Sequence, residues 1–317
     1  MVKSTRIKKI NRSVGNKHIV ILGLILLFFV TGKAQSFSDF LTPSDSLNTT
    51  RRAIVVTSQA AVSTVALIGL HEMWYKDYPK SSFHFKNDNA DWLQMDKAGH
   101  VFSSYHLGRI SSDLLQWSGV SHKQSVLYGG GFGLAFLTAV EVFDGTSSEW
   151  GFSWGDVAAN ATGTFLYISQ EYLWREQRVI PKYSFHTTHL AKMRPEVLGT
   201  SLNEQLLKDY NGQTYWLSAN LYSFLKWESL PKWFNVAAGY GAHGMLAGNA
   251  KTQEGLLLPS MERYRQFYLS FDVDLSKIET KSRFLRTLFS TINVVKIPAP
   301  TVEFAVGRKP QWYLLYF

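Results

Sequence analysis

The chain has 317 residues, 45% hydrophobic and 18% charged, with 33 Lys+Arg, 24 Asp+Glu and no cysteine. That length allows one large domain or two small ones with a real core, and 15% aromatic residues exclude a disordered polyelectrolyte. The missing cysteine excludes disulfide staples, thiolate zinc sites, a cysteine nucleophile and a lipidated N-terminal cysteine.

The formal net charge of +9 invites a nucleic-acid reading, but its position argues against one. Residues 1–34 carry Lys3, Arg6, Lys8, Lys9, Arg12, Lys17 and Lys33 and no acid. An apolar run from Ile19 to Val30 follows the basic start, and Gly32 and Ala34 supply a small-x-small exit. This is the pattern of a secretory signal peptide, with cleavage expected after Ala34. Taking its seven basic residues from the 33 leaves 26 against 24 acids, a net of +2. The basicity is an export address, so no nucleic-acid partner is expected. The expected location is the periplasm or outer membrane of a Gram-negative bacterium.

Residues 35–48 are Ser/Thr/Asp-rich with Pro43 and read as a linker. The segment 49–180 is expected to hold about four apolar helices in a bundle. The first, about 50–75, is uncharged from Ala53 to Leu70 but carries Thr57, Ser58, Gln59, Ser63 and Thr64. Its length suits a membrane span and its polarity a packed helix. The second starts at Asp91 or Asp96 and ends near Trp117; the third covers about 123–143. A Gly/Ser-rich loop at 144–151 leads to the fourth, which starts near Ser153 and ends before Pro181. Gly129 and Gly133, one turn apart, predict close helix packing rather than a phosphate loop, because no Lys-Ser/Thr follows and no strand precedes.

Residues 181–213 read as a second linker with a short helix near 201–209. From 214 to 317 the period becomes alternating. In 266–276 the apolar Phe267, Leu269, Phe271, Val273 and Leu275 alternate with Tyr268, Ser270, Asp272 and Asp274, which predicts a strand with one buried face. Weaker strands are expected at 215–224, 234–239, 301–306 and 311–317, and a helix at 281–294 with Phe284, Leu285, Leu288, Phe289 and Ile292 on one face. The expected fold class is α+β: a bundle of about four apolar helices followed by a small antiparallel strand-rich part. The terminal Phe317, with Leu315 and Tyr313 at alternate positions, is similar to the last strand of outer-membrane barrels. About five strands are too few for a closed barrel, so a small sheet packed on the bundle or lying on a membrane is expected.

Three clusters could carry chemistry. In Asp96-Lys97-Ala98-Gly99-His100, Asp96 and His100 lie one helical turn apart on one face. Asp96 could orient the imidazole, or both could ligate a metal; the plainer alternative is a helix cap and an interior histidine. Glu141 and Asp144 end an otherwise uncharged helix, where a carboxylate is costly unless paired or hydrated. The partners expected for them are Lys97 and His100, and the alternative is water. Asp156, Asn160 and Gly163 share a face of the helix that begins in Gly151-Phe152-Ser153-Trp154-Gly155-Asp156. Ser153 and Asp156 also fit an acidic capping box, but that leaves Asn160 needing a buried partner.

Taken in order, the Asp-Lys-Ala-Gly-His helix, the lone helix-end Glu and the Gly-Phe-Ser-Trp-Gly-Asp-Val-Ala-Ala-Asn-x-x-Gly helix resemble the YfiM-like family. Its members are small uncharacterised periplasmic proteins of Gram-negative bacteria, some predicted to be lipoproteins. The resemblance covers about residues 91–174 and points to Asp96, Lys97, His100, Glu141, Asp156, Asn160 and Gly163. It brings no reaction with it, and this chain lacks the cysteine of the lipoprotein members. A more distant likeness is to VanZ-like membrane proteins, which also show an Asp-Lys-x-x-His helix, a later Glu and an Asp-x-x-x-Asn-x-x-Gly helix.

Two functions lead from sequence, with a pore or transporter as the third that stays open. One is a membrane-associated envelope protein of structural or interaction role, with the polar residues fixing the bundle. The other is a membrane-associated hydrolase or transferase acting on a lipid or cell-wall-precursor head group. There His100, Asp96 and Glu141 would be catalytic, with Lys97, Asp144, Asp156, Asn160 and Gly163 binding. The partner expected is membrane lipid or another envelope protein. No motif calls for an organic cofactor, and a divalent metal stays open at the carboxylates.

Overall fold

The computed structural model describes residues 40–76, 78–256 and 261–317. The expected signal peptide lies outside these residues, as does the part of the first linker before Phe40. Helix α1 (Thr49–Leu70) starts where the Asn48 side chain accepts the Arg51 N–H at 2.9 Å, satisfying one of the orphan donors of the first turn. It runs on into a π turn at His71–Tyr75. Helices α2 (Met95–Trp117), α3 (Phe132–Asp144) and α4 (Trp154–Trp174) follow.

Small residues set the spacing of α2, α3 and α4. A Cβ at Gly133 would stand 2.1 Å from the Ser104 carbonyl oxygen, and one at Gly163 would stand 2.1 Å from that of Val101. The close packing expected around 129–133 is therefore met. Gly163, expected among the binding residues, serves the α2–α4 contact. Helix α1 differs from the other three: Val55 is buried, and most of its other side chains are exposed.

The C-terminal part is a six-stranded antiparallel sheet in sequential order. Its strands are β1 (Val179–Phe185), β2 (Gln213–Asn220), β3 (Phe234–His243), β4 (Tyr264–Val273), β5 (Ala299–Ala305) and β6 (Gln311–Tyr316). Helix α5 (Arg283–Ile292) lies between β4 and β5. The strand beyond the expected set is β1, which occupies the end of the expected fourth helix and the start of the expected linker. Helix α4 stops at Trp174 because Arg175 turns into the left-handed region, φ 54°. Pro181 sits in β1 at one end of the strand order, where a residue without an N–H is tolerated. The short helix expected near 201–209 is Leu202–Lys208, capped by Ser201.

The helical and strand-rich parts belong to one compact unit, Thr42–Phe317. Phe102 of α2 packs on Tyr183 of β1 and Tyr215 of β2, with ring centroids 5.8 and 5.7 Å away. His106 Nε2 donates to the Pro181 carbonyl at 2.7 Å. The sheet curls so that the chain after α5 runs beside β1. There the Tyr183 N–H donates to the Val294 carbonyl and the Lys296 N–H to the Tyr183 carbonyl, both at 2.9 Å.

One expectation is inverted. Strand β4 does have one buried face, but it is the polar one: Tyr268, Ser270 and Asp272 are buried, while Phe267, Leu269 and Phe271 are 46%, 52% and 52% exposed. The curl turns the polar side inward, onto Lys182 and Lys296, which are fully buried with Asp272. Alternation fixes that two faces differ; the path of the chain decides which one is covered.

Candidate functional site

Residues from α2, α3, α4 and the loop before α2 meet in one cluster. Helix α2 is entered through Trp92, Leu93 and Gln94, three successive non-glycine residues with φ of 49°, 49° and 69°. Such backbone is costly and persists only where surrounding contacts hold it. Here the Trp92 N–H donates to the Gly248 carbonyl at 2.6 Å, and the Tyr240 hydroxyl donates to the Leu93 carbonyl. The first turn of α2 then presents Asp96, Lys97 and His100.

Lys97 Nζ stands 2.8 Å from Asp88, 2.8 Å from Asp156 and 3.3 Å from Asp96. His100 Nδ1 pairs with Asn160 Oδ1 at 2.9 Å. Its Nε2 faces Asp96 Oδ1 at 3.8 Å and both Glu141 Oε1 and Asp156 Oδ1 at 3.7 Å. Tyr210 Oη donates to Asp96 Oδ1 at 2.9 Å. Ser153 caps α4 by accepting the Asp156 N–H, and its hydroxyl donates to Asp88 at 2.6 Å. Asp156 does not complete the expected capping box: the Ser153 N–H goes instead to Glu141 Oε2 at 3.2 Å.

The cluster has an open side and a sealed floor. The side chains of Asp88, Asp96, Lys97 and His100 are 15–25% exposed, against 1% for Glu141 and 5% for Asp156. Burial raises the Asp156 carboxyl, and the neighbouring Asp96 charge adds to this, so that it reaches about 7 despite His100 and Lys97. Burial acts the same way on Asp96 but is outweighed by His100 and Lys97, which hold it below the usual range. Burial would lower His100; the charges of Asp96, Asp156 and Glu141 prevail and raise it. Lys97 is likewise raised, its desolvation outweighed by Asp96, Asp156 and Asp88. His100 therefore tends to hold its proton, which suits an acid or a charge partner better than a free base.

The structure brings together Asp96, Lys97, His100, Glu141, Asp156 and Asn160. Asp144 is instead engaged by Tyr75 Oη, which donates to it at 2.6 Å. Lys97, expected among the binding residues, is enclosed by three carboxylates. Asp88 and Tyr210 join the cluster without any announcement in the sequence. Asp88 lies in the Asn/Asp-rich loop and Tyr210 in the expected linker, and neither carries a periodic signal. Asp96, His100 and Asp156 offer three donor atoms within 4.8 Å of one another.

Residues 83–169 match the model of a family described as predicted periplasmic lipoprotein (DUF2279). That span includes Asp88, Asp96, Lys97, His100, Glu141, Asp156 and Asn160, and stops before the sheet begins. The chain has no cysteine to carry the lipid that this description implies. No curated protein and no solved structure matches the chain. The match agrees with the destination expected from the N-terminal residues: this is an exported protein of the periplasm or envelope.

Proposed function

We propose that the chain is a membrane-attached envelope protein with a structural or interaction role, and that membrane lipid covers its apolar exterior. The observation that carries this reading is the inverted sheet. Phe267, Leu269 and Phe271 of β4 lie exposed, as do Leu217, Phe304 and Trp312 of other strands in the sheet, while the inner face sets Lys182, Ser218, Ser270 and Asp272 beside a buried aromatic group of Trp216, Tyr268 and Tyr316. Apolar-out and polar-in is the pattern of protein facing lipid. An extended apolar surface of this kind needs a cover.

Two helices support the same reading. Val56, Val62, Val65 and Ile68 of α1 are each more than half exposed. The segment Thr49–Tyr75 is long and apolar enough to cross a membrane by length and composition. Helix α5 exposes Phe284, Leu285, Leu288 and Ile292 and carries Arg283 and Arg286, the composition of a helix lying at a lipid interface. In this reading the cluster around Lys97 and His100 ties α2, α3 and α4 together. The motif order that resembles YfiM-like proteins falls on these same helices.

Fractionation tests the attachment. The full chain, expressed in a Gram-negative host, is expected to stay with membranes through an alkaline carbonate wash and to float with phospholipid vesicles. Leu269→Asp with Phe271→Asp should reduce both. Recovery of the wild-type chain as a soluble periplasmic protein would overturn the proposal. Flotation failure with retention in native membranes would point to an envelope protein as the cover.

A second reading, a hydrolase or transferase for lipid or cell-wall-precursor head groups, is favoured by one observation. His100 and Asp96 reach solvent above Glu141, whose Oε1 is buried without a hydrogen-bond partner among the described residues. Turnover of such head groups that disappears in His100→Ala would support it.

A further inference from the structure

We propose that Asp96, His100, Glu141 and Asp156 form a binding site for one first-row divalent cation, zinc or manganese. The argument starts from distances. Three carboxylate oxygens from three helices stand 3.7–3.8 Å from His100 Nε2. That is beyond a normal hydrogen bond, which closes to roughly 3 Å. It is near the separation of two donors that share a cation, about 3.4 Å for tetrahedral bonds of about 2.1 Å. The donors of Asp96, His100 and Asp156 already lie within 4.8 Å of one another, and Glu141, 3.7 Å from the same Nε2, has further to move to join them.

The second observation is Glu141. It is 1% exposed, and its Oε1 has no hydrogen-bond partner among the described residues. Its other oxygen is occupied by the Ser153 N–H, so Oε1 is the one directed at His100. A buried carboxylate oxygen left bare is expensive. A cation at this point would satisfy it.

The surroundings fit a ligand histidine. Asn160 Oδ1 accepts from His100 Nδ1, so Nε2 is the ring atom that faces the carboxylates and would turn to an ion that displaces its proton. Tyr210 Oη holds Asp96 in the same supporting way. Charge points in the same direction. Asp88, Asp96, Glu141 and Asp156 outnumber Lys97 and His100 among the groups that meet here, so the donor set is rich in oxygen ligands for a dication. Lys97 already holds Asp156 Oδ1 at 2.8 Å, so it would share that carboxylate with the ion. Nitrogen and oxygen donors in this ratio suit zinc or manganese better than calcium.

The site is independent of membrane attachment, and so is its test. The full chain is purified without a histidine tag, and its metal content is measured by elemental analysis. It is then stripped with a chelator and titrated calorimetrically with zinc chloride and with manganese chloride. The expected result is one ion per chain for at least one metal, with a rise in Tm on reloading. Glu141→Gln and His100→Gln, close in shape to the native residues, should each weaken binding about tenfold or more. Asn160→Leu should weaken it roughly 10- to 100-fold, while Asn160→Asp, which keeps the acceptor, should retain it. Folded wild-type chain that neither retains nor binds either ion would overturn the proposal. So would binding that is unchanged in both Glu141→Gln and His100→Gln.

Discussion

Two of the buried polar networks among the described residues are built differently. Inside the curled sheet, Lys182 Nζ sits 2.8 Å from Asp272 and donates to the Val273 carbonyl at 2.7 Å. Asp272 also accepts from Ser218 Oγ at 2.6 Å and from the Ile297 N–H at 3.1 Å. Asn235 and Asn220 extend the chain of bonds, and Lys296 lies 4.0 Å from Asp272. Both lysines face the one carboxylate of Asp272, while Asp274 accepts from Ser276 and Asn293 and leaves its Oδ2 without a hydrogen-bond partner among the described residues. In the helical cluster the carboxylates outnumber the cations, and Glu141 Oε1 and Asn160 Nδ2 are bare among the described residues. The sheet network is sealed around its lysines, whereas the helical one holds its carboxylates in excess beside an opening.

The largest expected effect tests the closed network. Lys182→Met leaves Asp272 buried without its nearest cation and should cost about 3–5 kcal/mol in denaturant unfolding. Adding Asp272→Leu should return much of that loss. A small effect of Lys182→Met alone would remove the contrast between the two networks.

The next test falls on the joint between them. Burial is the main cause that lowers His106 from 6.5 to about 3, with Arg109 and Lys182 also acting downward against the Pro181 bond. The unfolded chain therefore takes up a proton between those values that the folded chain refuses. Stability contributed by neutral His106 is complete above about pH 6.5 and is lost as pH falls toward 3. The slope should approach about 1.4 kcal/mol per pH unit within that window. Unfolding at a series of pH values should show a flatter curve for His106→Gln, which keeps a donor for Pro181.

The smallest change is expected where the network is open. In metal-free protein, Glu141→Gln keeps an acceptor for the Ser153 N–H and replaces a carboxyl that burial already pushes up to about 8. Its stability should stay within about 1 kcal/mol of wild type or rise. A loss as large as that of Lys182→Met would make the helical cluster as structural as the one in the sheet.

Much of the helical cluster is legible because its signals are local. Asp96 and His100 are one turn apart, Ser153 precedes its helix by one residue, and Asp156 and Asn160 share a face; helical period alone carries these. Glu141 stands out as a charge in an apolar helix. Asp88 and Tyr210 are not legible, since they reach the cluster by chain path rather than by period. Strand β1 is hidden because the polar stretch before Pro181 continues the composition of α4, and the left-handed Arg175 that ends the helix has no glycine to announce it.

By itself the sequence determined the α+β order, the cap of α4 and the polar faces of α2 and α4. These depend on neighbours within a turn or two. The tertiary structure decided which face of the sheet is covered, which carboxylates surround Lys97, and that one oxygen of Glu141 is left bare. Those outcomes depend on which distant segments meet, and a periodic pattern names a face without naming what will lie against it.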